Sequence, residues 1–237
     1  MPEPRSRQNL YGQAIGAKGA STYRRILRAT AGMMERRSIR ELKVNEIGAR
    51  AGVSAATFYV YFESVPDAAH AVVEQLNQAT PEVMCVLERE WSRADVLANA
   101  RDLVQAYVAY WDEHHVLLRI RNFMADEGDR RFAEARRRAV DPVHIGLQEK
   151  IRRFQATDES APPLDPASTA TVLMAMLERV SAIIRNPSGH GATRPRQIES
   201  AAYLIASAMI ALEPDMTTTK RAAKGARLGA LRAGGTG

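Results

Sequence analysis

A single cysteine, Cys85, stands among 237 residues, so no internal disulfide can form and nothing in the chain requires an oxidising compartment. The opening Met-Pro-Glu-Pro-Arg-Ser-Arg has no apolar core and does not read as a signal peptide. The longest apolar run, Ser200 to Leu212, is too short to span a bilayer and fits a buried helix. The expected setting is therefore the cytoplasm, with no membrane partner. Catalytic signatures are missing too: there is no Gly-rich phosphate loop, no Gly-x-Ser-x-Gly elbow and no Cys-x-x-Cys pair. The one dense group of metal-ligand side chains is Asp112-Glu113-His114-His115. Neighbours on a helix point about 100° apart, so His114 and His115 cannot share an ion, and the group reads as a solvated helix end. No metal, no cofactor and no enzymatic activity are expected. Alternating strand patterns of useful length and internal repeats are absent as well.

What is present is charge, unevenly placed. The net charge of the chain is +6, but residues 1–62 carry eleven Lys/Arg against four Asp/Glu, whereas residues 63–216 carry seventeen against twenty-three. Residues 217–237 add five basic residues and no acidic ones. A basic N-terminal block suits a partner rich in phosphates.

Within that block, Val44 to Phe62 reads as two short helices around a turn. Val44, Ile47 and Ala51 are spaced for one buried face. Gly52 suits the left-handed residue that ends a helix, Val53 can plug the gap, and Ser54 can cap the second helix. Phe58 and Phe62 anchor that helix inward, which leaves Ala55, Ala56, Thr57, Tyr59 and Tyr61 nearer its outer face. This is a helix-turn-helix. An earlier helix, capped at Ser21 or Thr22 and carrying Ile26, Leu27, Thr30, Met33 and Met34, completes a three-helix unit, with Arg24, Arg25 and Arg28 on its other side.

A basic helix followed by Val-x-x-Ile-x-x-x-Ala-Gly-Val-Ser-x-x-Thr-Phe-Tyr-x-Tyr-Phe and Glu-Ser resembles the TetR family of bacterial transcriptional regulators. The motif spans roughly residues 22–72. Phe58 to Phe62 and Leu177-Glu178-Arg179 also resemble its ethionamide-resistance-type repressors, more weakly. Two positions depart from the family's pattern: Lys43 stands where threonine is frequent, and Val65 where lysine is.

The remainder reads as helices: Pro66 to about Glu90, Asp95 to His114, His115 to Glu127 with a break at Gly128, and Asp129 to Gln155, which Pro142 kinks or divides. A helix from Pro166 to about Arg185 and one from Arg194-Pro195 to Leu212 close the chain. The fold class is all-α. A flexible basic arm (1–20) precedes a helix-turn-helix domain (21–65), a larger helical domain for ligand binding and dimerisation (66–216) and a basic disordered tail (217–237). The resemblance implies a homodimer through helices at about 166–185 and 195–212.

For DNA, the expected contacts are Lys43, Ser54, Ala55, Ala56, Thr57, Tyr59 and Tyr61. The alanines can touch thymine methyls but cannot hydrogen-bond base edges. The hydroxyls of Thr57, Tyr59 and Tyr61 and the Lys43 ammonium can hold phosphates, as the resemblance implies for the first three. The resemblance further implies a pocket for a small apolar or drug-like ligand among the middle helices. Tyr107, Trp111, Phe123, Met124, Phe154 and Met174 are the inward candidates, each equally suited to plain core. Glu178 would offer a polar group there, or pair with Arg179 at a dimer seam. The expected function is a repressor released from a palindromic double-stranded DNA operator by such a ligand. The alternative is a helical small-molecule-binding or adaptor protein that has lost regulated DNA binding.

Overall fold

In the computed structural model, residues 10, 12, 16–78, 81–185 and 192–211 are described, with backbone alone at 77, 78 and 81. All regular structure among them is helical: α1 (Ala17–Met34), α2 (Val44–Ala51), α3 (Ala55–Tyr61), α4 (Val65–Val73), α5 (Pro81–Glu88), α6 (Val96–Asp126), α7 (Arg130–Thr157), α8 (Pro166–Ile183) and α9 (Arg194–Ser207), plus two short 3-10 turns. None is long and apolar enough to cross a membrane. The expected tail (217–237), the loop at 186–191, Leu212 and most of the arm lie outside the described residues.

Helix starts follow local chemistry. Ser54, Ser64, Asp129 and Asp165 each accept a backbone N–H from the first turn of the helix they precede. Prolines occupy the first turns of α4, α8 and α9, where no N–H is needed.

Several expected boundaries move. α1 begins at Ala17, not at Ser21 or Thr22, behind Gly16 and without a side-chain cap, because Ala17 to Ala20 prolong the helix. The long helix expected from Pro66 to Glu90 ends at Val73, passes through a 3-10 turn (Glu74–Gln78) and restarts at Pro81. Pro81 fits that restart, since the first position of a helix needs no N–H. Conversely, the two segments expected over 95–127 are one 31-residue helix, α6. Asp112 does not end it, because its carboxylate is held by Arg185 and Arg194 while the helix runs on. Gly128, at φ 90°, then breaks the chain. α7 continues through Pro142, since apolar packing holds both halves: Phe132 and Ala135 before it, Val143, Leu147 and Ile151 after it.

Two cores result. The first joins α1 to α4 around Ile26, Ile47, Phe58, Phe62 and Val72. Val65 belongs to it, buried where the family's pattern favours lysine. The second joins α5 to α9 around Leu103, Leu147, Leu177 and Ile205. Phe132 and Ala135 at the start of α7 belong to the first core, while Val143 to Phe154 on the same helix belong to the second. α7 therefore has one end in each.

Candidate DNA-binding face and buried polar cluster

The helix-turn-helix closes tightly. Gly52 takes the left-handed conformation (φ 65°, ψ 41°), and the Val53 N–H donates to the Gly48 carbonyl at 2.9 Å. A Cβ on Gly48 would stand 2.9 Å from the Val53 carbonyl oxygen, so only glycine lets α2 approach the turn this closely. The motif reading passed over Gly48; its signal was a glycine in the middle of an eight-residue helix.

α3 is fixed by Phe58, fully buried, and by Phe62 just beyond it. The Ser54 hydroxyl accepts the Thr57 N–H at 3.1 Å and lies 3.0 Å from the Thr57 hydroxyl, so the cap also orients Thr57. Lys43, Ser54 and Ala56 are exposed, Ala55 and Thr57 half-buried, and Tyr59 is 49% exposed. Tyr61 is half-buried with its ring edge against Tyr23, 6.1 Å away, so less of it faces outward than the helix position suggests. At the other end of α3, the Leu10 N–H donates to the Val60 carbonyl, which brings this point of the arm alongside the helix.

In the second core, the candidate ligand residues do not surround one cavity. Tyr107 and Trp111 are buried in it, and Met174 and Glu178 edge a groove of about 400 Å3 between α6, α7 and α8. Phe123, expected to point inward, is 39% exposed and lies 5.0 Å beneath the Arg40 guanidinium. Met124 packs on the N-terminal core, because this stretch of α6 runs beneath the DNA-binding unit. Phe154 sits by a different groove, with Trp91.

Glu178 does not pair with Arg179, which is exposed. Its two oxygens accept from Arg121 on α6 (3.2 Å) and Arg136 on α7 (3.1 Å). Arg121 is 1% exposed, the largest fully buried side chain described. Burial pushes the Tyr107 hydroxyl well above the ordinary tyrosine range, and the Glu178 charge adds to this while Arg121 opposes it. Tyr110, 6.1 Å from Tyr107 between ring centres, is likewise raised by burial and lowered by Arg121.

Residues 26–64 match the family described as bacterial regulatory proteins, tetR family, and residues 83–211 match the tetracyclin repressor-like C-terminal domain. The second match alone spans more than half of the chain. The chain belongs to the TetR family. No curated protein sequence matches it. Among solved structures, it is similar to a putative transcriptional regulator from Saccharomonospora viridis in complex with choline, with a TM-score of 0.61 and 15% identity over 81% of this chain and 100% of that one. The fatty acid degradation regulator FadR from Bacillus halodurans gives 0.59 and 15%, over 82% and 97%. FadR from Bacillus subtilis, in complex with stearoyl-CoA, gives 0.59 and 14%, over 78% and 98%. At these identities the likeness shows the shared fold.

This TetR-family regulator thus holds a ready DNA-binding unit and, behind it, an apolar core with a charged centre. The sequence reading missed Arg121 and Arg136. Arg121 was detectable in principle, for it continues the stripe Tyr107, Trp111, Leu118 at helical spacing. Among the described residues, no three His, Cys, Asp or Glu side chains converge as metal ligands.

Proposed function

We propose that this regulator is a homodimeric repressor that leaves a palindromic operator when a small molecule occupies its helical domain. The observation that carries the reading is α7, which places Phe132 in the DNA-binding core and, four residues on, Arg136 against Glu178. A ligand that moves α7 at Arg136 would also move Phe132, against which α4 sets His70 at 5.3 Å. Asp67 and Glu74 of α4 and the following turn pair with Arg131 and Arg138, so α4 would follow. Two fold relatives hold small molecules, stearoyl-CoA and choline, which is consistent with a ligand-responsive domain.

In this reading, Lys43, Thr57, Tyr59 and Tyr61 hold phosphates, and Ser54, Ala55 and Ala56 lie against bases at the start of α3. The partner surface is the outer face of α8 and α9, where Val172 is 67% and Leu204 53% exposed beside Ile183 and Tyr203. Apolar area of this kind on two adjacent helices fits a second copy, and a two-fold dimer matches a palindrome.

Sedimentation of the full chain together with gel retardation on its own promoter region tests this. A dimer that retards the promoter, and a Leu204→Glu monomer that does so at least tenfold more weakly, are expected. A monomeric wild type, or tight binding by the Leu204→Glu monomer, would sink the proposal.

A further inference from the structure

Arginines meet different surroundings in the two parts of the chain. On α7, Arg131, Arg136, Arg137, Arg138, Arg152 and Arg153 each lie within ion-pair distance of a carboxylate. On α1 and α2, Arg24, Arg25, Arg28 and Arg50 meet no carboxylate among the described residues. Arg24 and Arg28 are four apart and Arg25 and Arg28 three apart, spacings at which like charges disfavour a helix. The nearby acids Glu41 and Glu46 are both engaged by Arg37.

Two of these arginines are held at the seam between α1 and α2. The half-buried Arg25 guanidinium donates to the Thr22 hydroxyl at 3.4 Å and reaches the turn of the helix-turn-helix. A Cβ on Gly52 would stand 3.3 Å from its Nη1. The Arg50 guanidinium reaches the other way, and a Cβ on Gly32 would stand 3.1 Å from its Nη2. Gly52 is required by its left-handed backbone in any case, but Gly32 is not. It lies in the interior of α1, where glycine is the poorest residue after proline. Gly32 thus makes room for a guanidinium with no counter-charge among the described residues. The seam adjoins the start of α3, for Gly52 precedes the Ser54 cap by two residues, about 7 Å of chain at most.

We propose that Arg25 and Arg50, with Arg28 beside them, hold the phosphate backbone of the operator at the edge of the groove that α3 enters. The assignment rests on the operator-binding reading above and adds a second set of phosphate contacts to Lys43, Thr57, Tyr59 and Tyr61. Guanidinium groups grip phosphate oxygens through paired hydrogen bonds, and a polyanion supplies the counter-charge that the seam lacks. Such contacts position the protein and carry no sequence information.

Gel retardation over a range of salt concentrations, on the promoter duplex and on an unrelated duplex of equal length, is the test. In Arg25→Gln/Arg50→Gln the slope of log affinity against log salt should fall by about 2, with affinity at least about tenfold lower. The preference for the promoter over the unrelated duplex should stay as in wild type. The melting temperature should hold or rise, since two like charges are gone. Arg25→Lys/Arg50→Lys should keep the slope. Arg119→Gln/Arg130→Gln, which removes two exposed, unpaired charges from α6 and α7, should leave it unchanged. An unchanged slope in Arg25→Gln/Arg50→Gln, an equal fall in the Arg119→Gln/Arg130→Gln control, or a lower melting temperature overturns the proposal. Wild-type preference for the promoter with an unchanged slope in the variant keeps the regulator and loses the seam. A wild type that binds both duplexes equally, with the slope reduced in the variant, keeps the seam and loses the operator. A wild type that binds neither duplex loses both.

Discussion

Arg121 on α6 and Glu178 on α8 form an ion pair of 3.2 Å inside an apolar core, with side chains 2% and 10% exposed. Removing one partner of such a pair leaves a bare charge in a medium that solvates it poorly. Glu178→Gln should therefore lower unfolding stability by about 3 kcal/mol or more, seen as a lower urea midpoint. The double change Arg121→Met with Glu178→Leu should cost less than Glu178→Gln alone. If the double change is the worse of the two, desolvation does not dominate here.

Gly48 and Val53 make a similar argument for the turn. In Gly48→Ala the new methyl would meet the Val53 carbonyl oxygen at 2.9 Å, and backbone must shift to admit it. We expect a loss of about 1–3 kcal/mol and weaker promoter binding, with the dimer mass unchanged. Wild-type retardation by this variant would show that the turn gives way easily.

On the proposed DNA face, Lys43 and Tyr59 are exposed. Lys43→Ala should weaken promoter binding evenly across sequences and reduce the salt slope by about 1. Tyr59→Phe should weaken it too, by loss of one phosphate bond, while the melting temperature stays constant. A changed melting temperature would mean that the hydroxyl serves the fold.

Asp112 on α6 holds the turn that follows α8 and the start of α9, accepting from Arg194 at 2.5 Å and Arg185 at 3.1 Å. The Arg194 hydrogen bond is the main reason that its carboxyl sits below the usual aspartate value; burial opposes this and Arg185 assists it. A depressed folded value means that the stabilisation is complete above the unfolded value of about 4 and fades as pH falls through the lower folded one. Asp112→Asn should lower the melting temperature by about 2–4 °C at pH 7, and the gap to wild type should close below about pH 4. A gap that persists at low pH would indicate lost packing instead.

The helix-turn-helix was legible in the sequence, because its determinants are local. A glycine that ends a helix, a serine that caps the next and two phenylalanines four apart act within about twenty residues of each other. The helix count erred for the same kind of reason. Pro81 opens a new helix inside what reads as one apolar stripe, and the charged Asp112 to His115 stretch lies within one helix, with Asp112 held by partners 73 and 82 residues away.

By itself, then, the sequence determined an all-α chain, the helix-turn-helix and the sign of its partner, since capping, periodicity and charge are read along the chain. Only the tertiary structure decided what lies at the centre of the helical domain. Arg121, Arg136 and Glu178 are 15 to 57 residues apart, and each alone reads as a surface charge. Burial makes them pair, and whether a charge is buried depends on which helices pack around it.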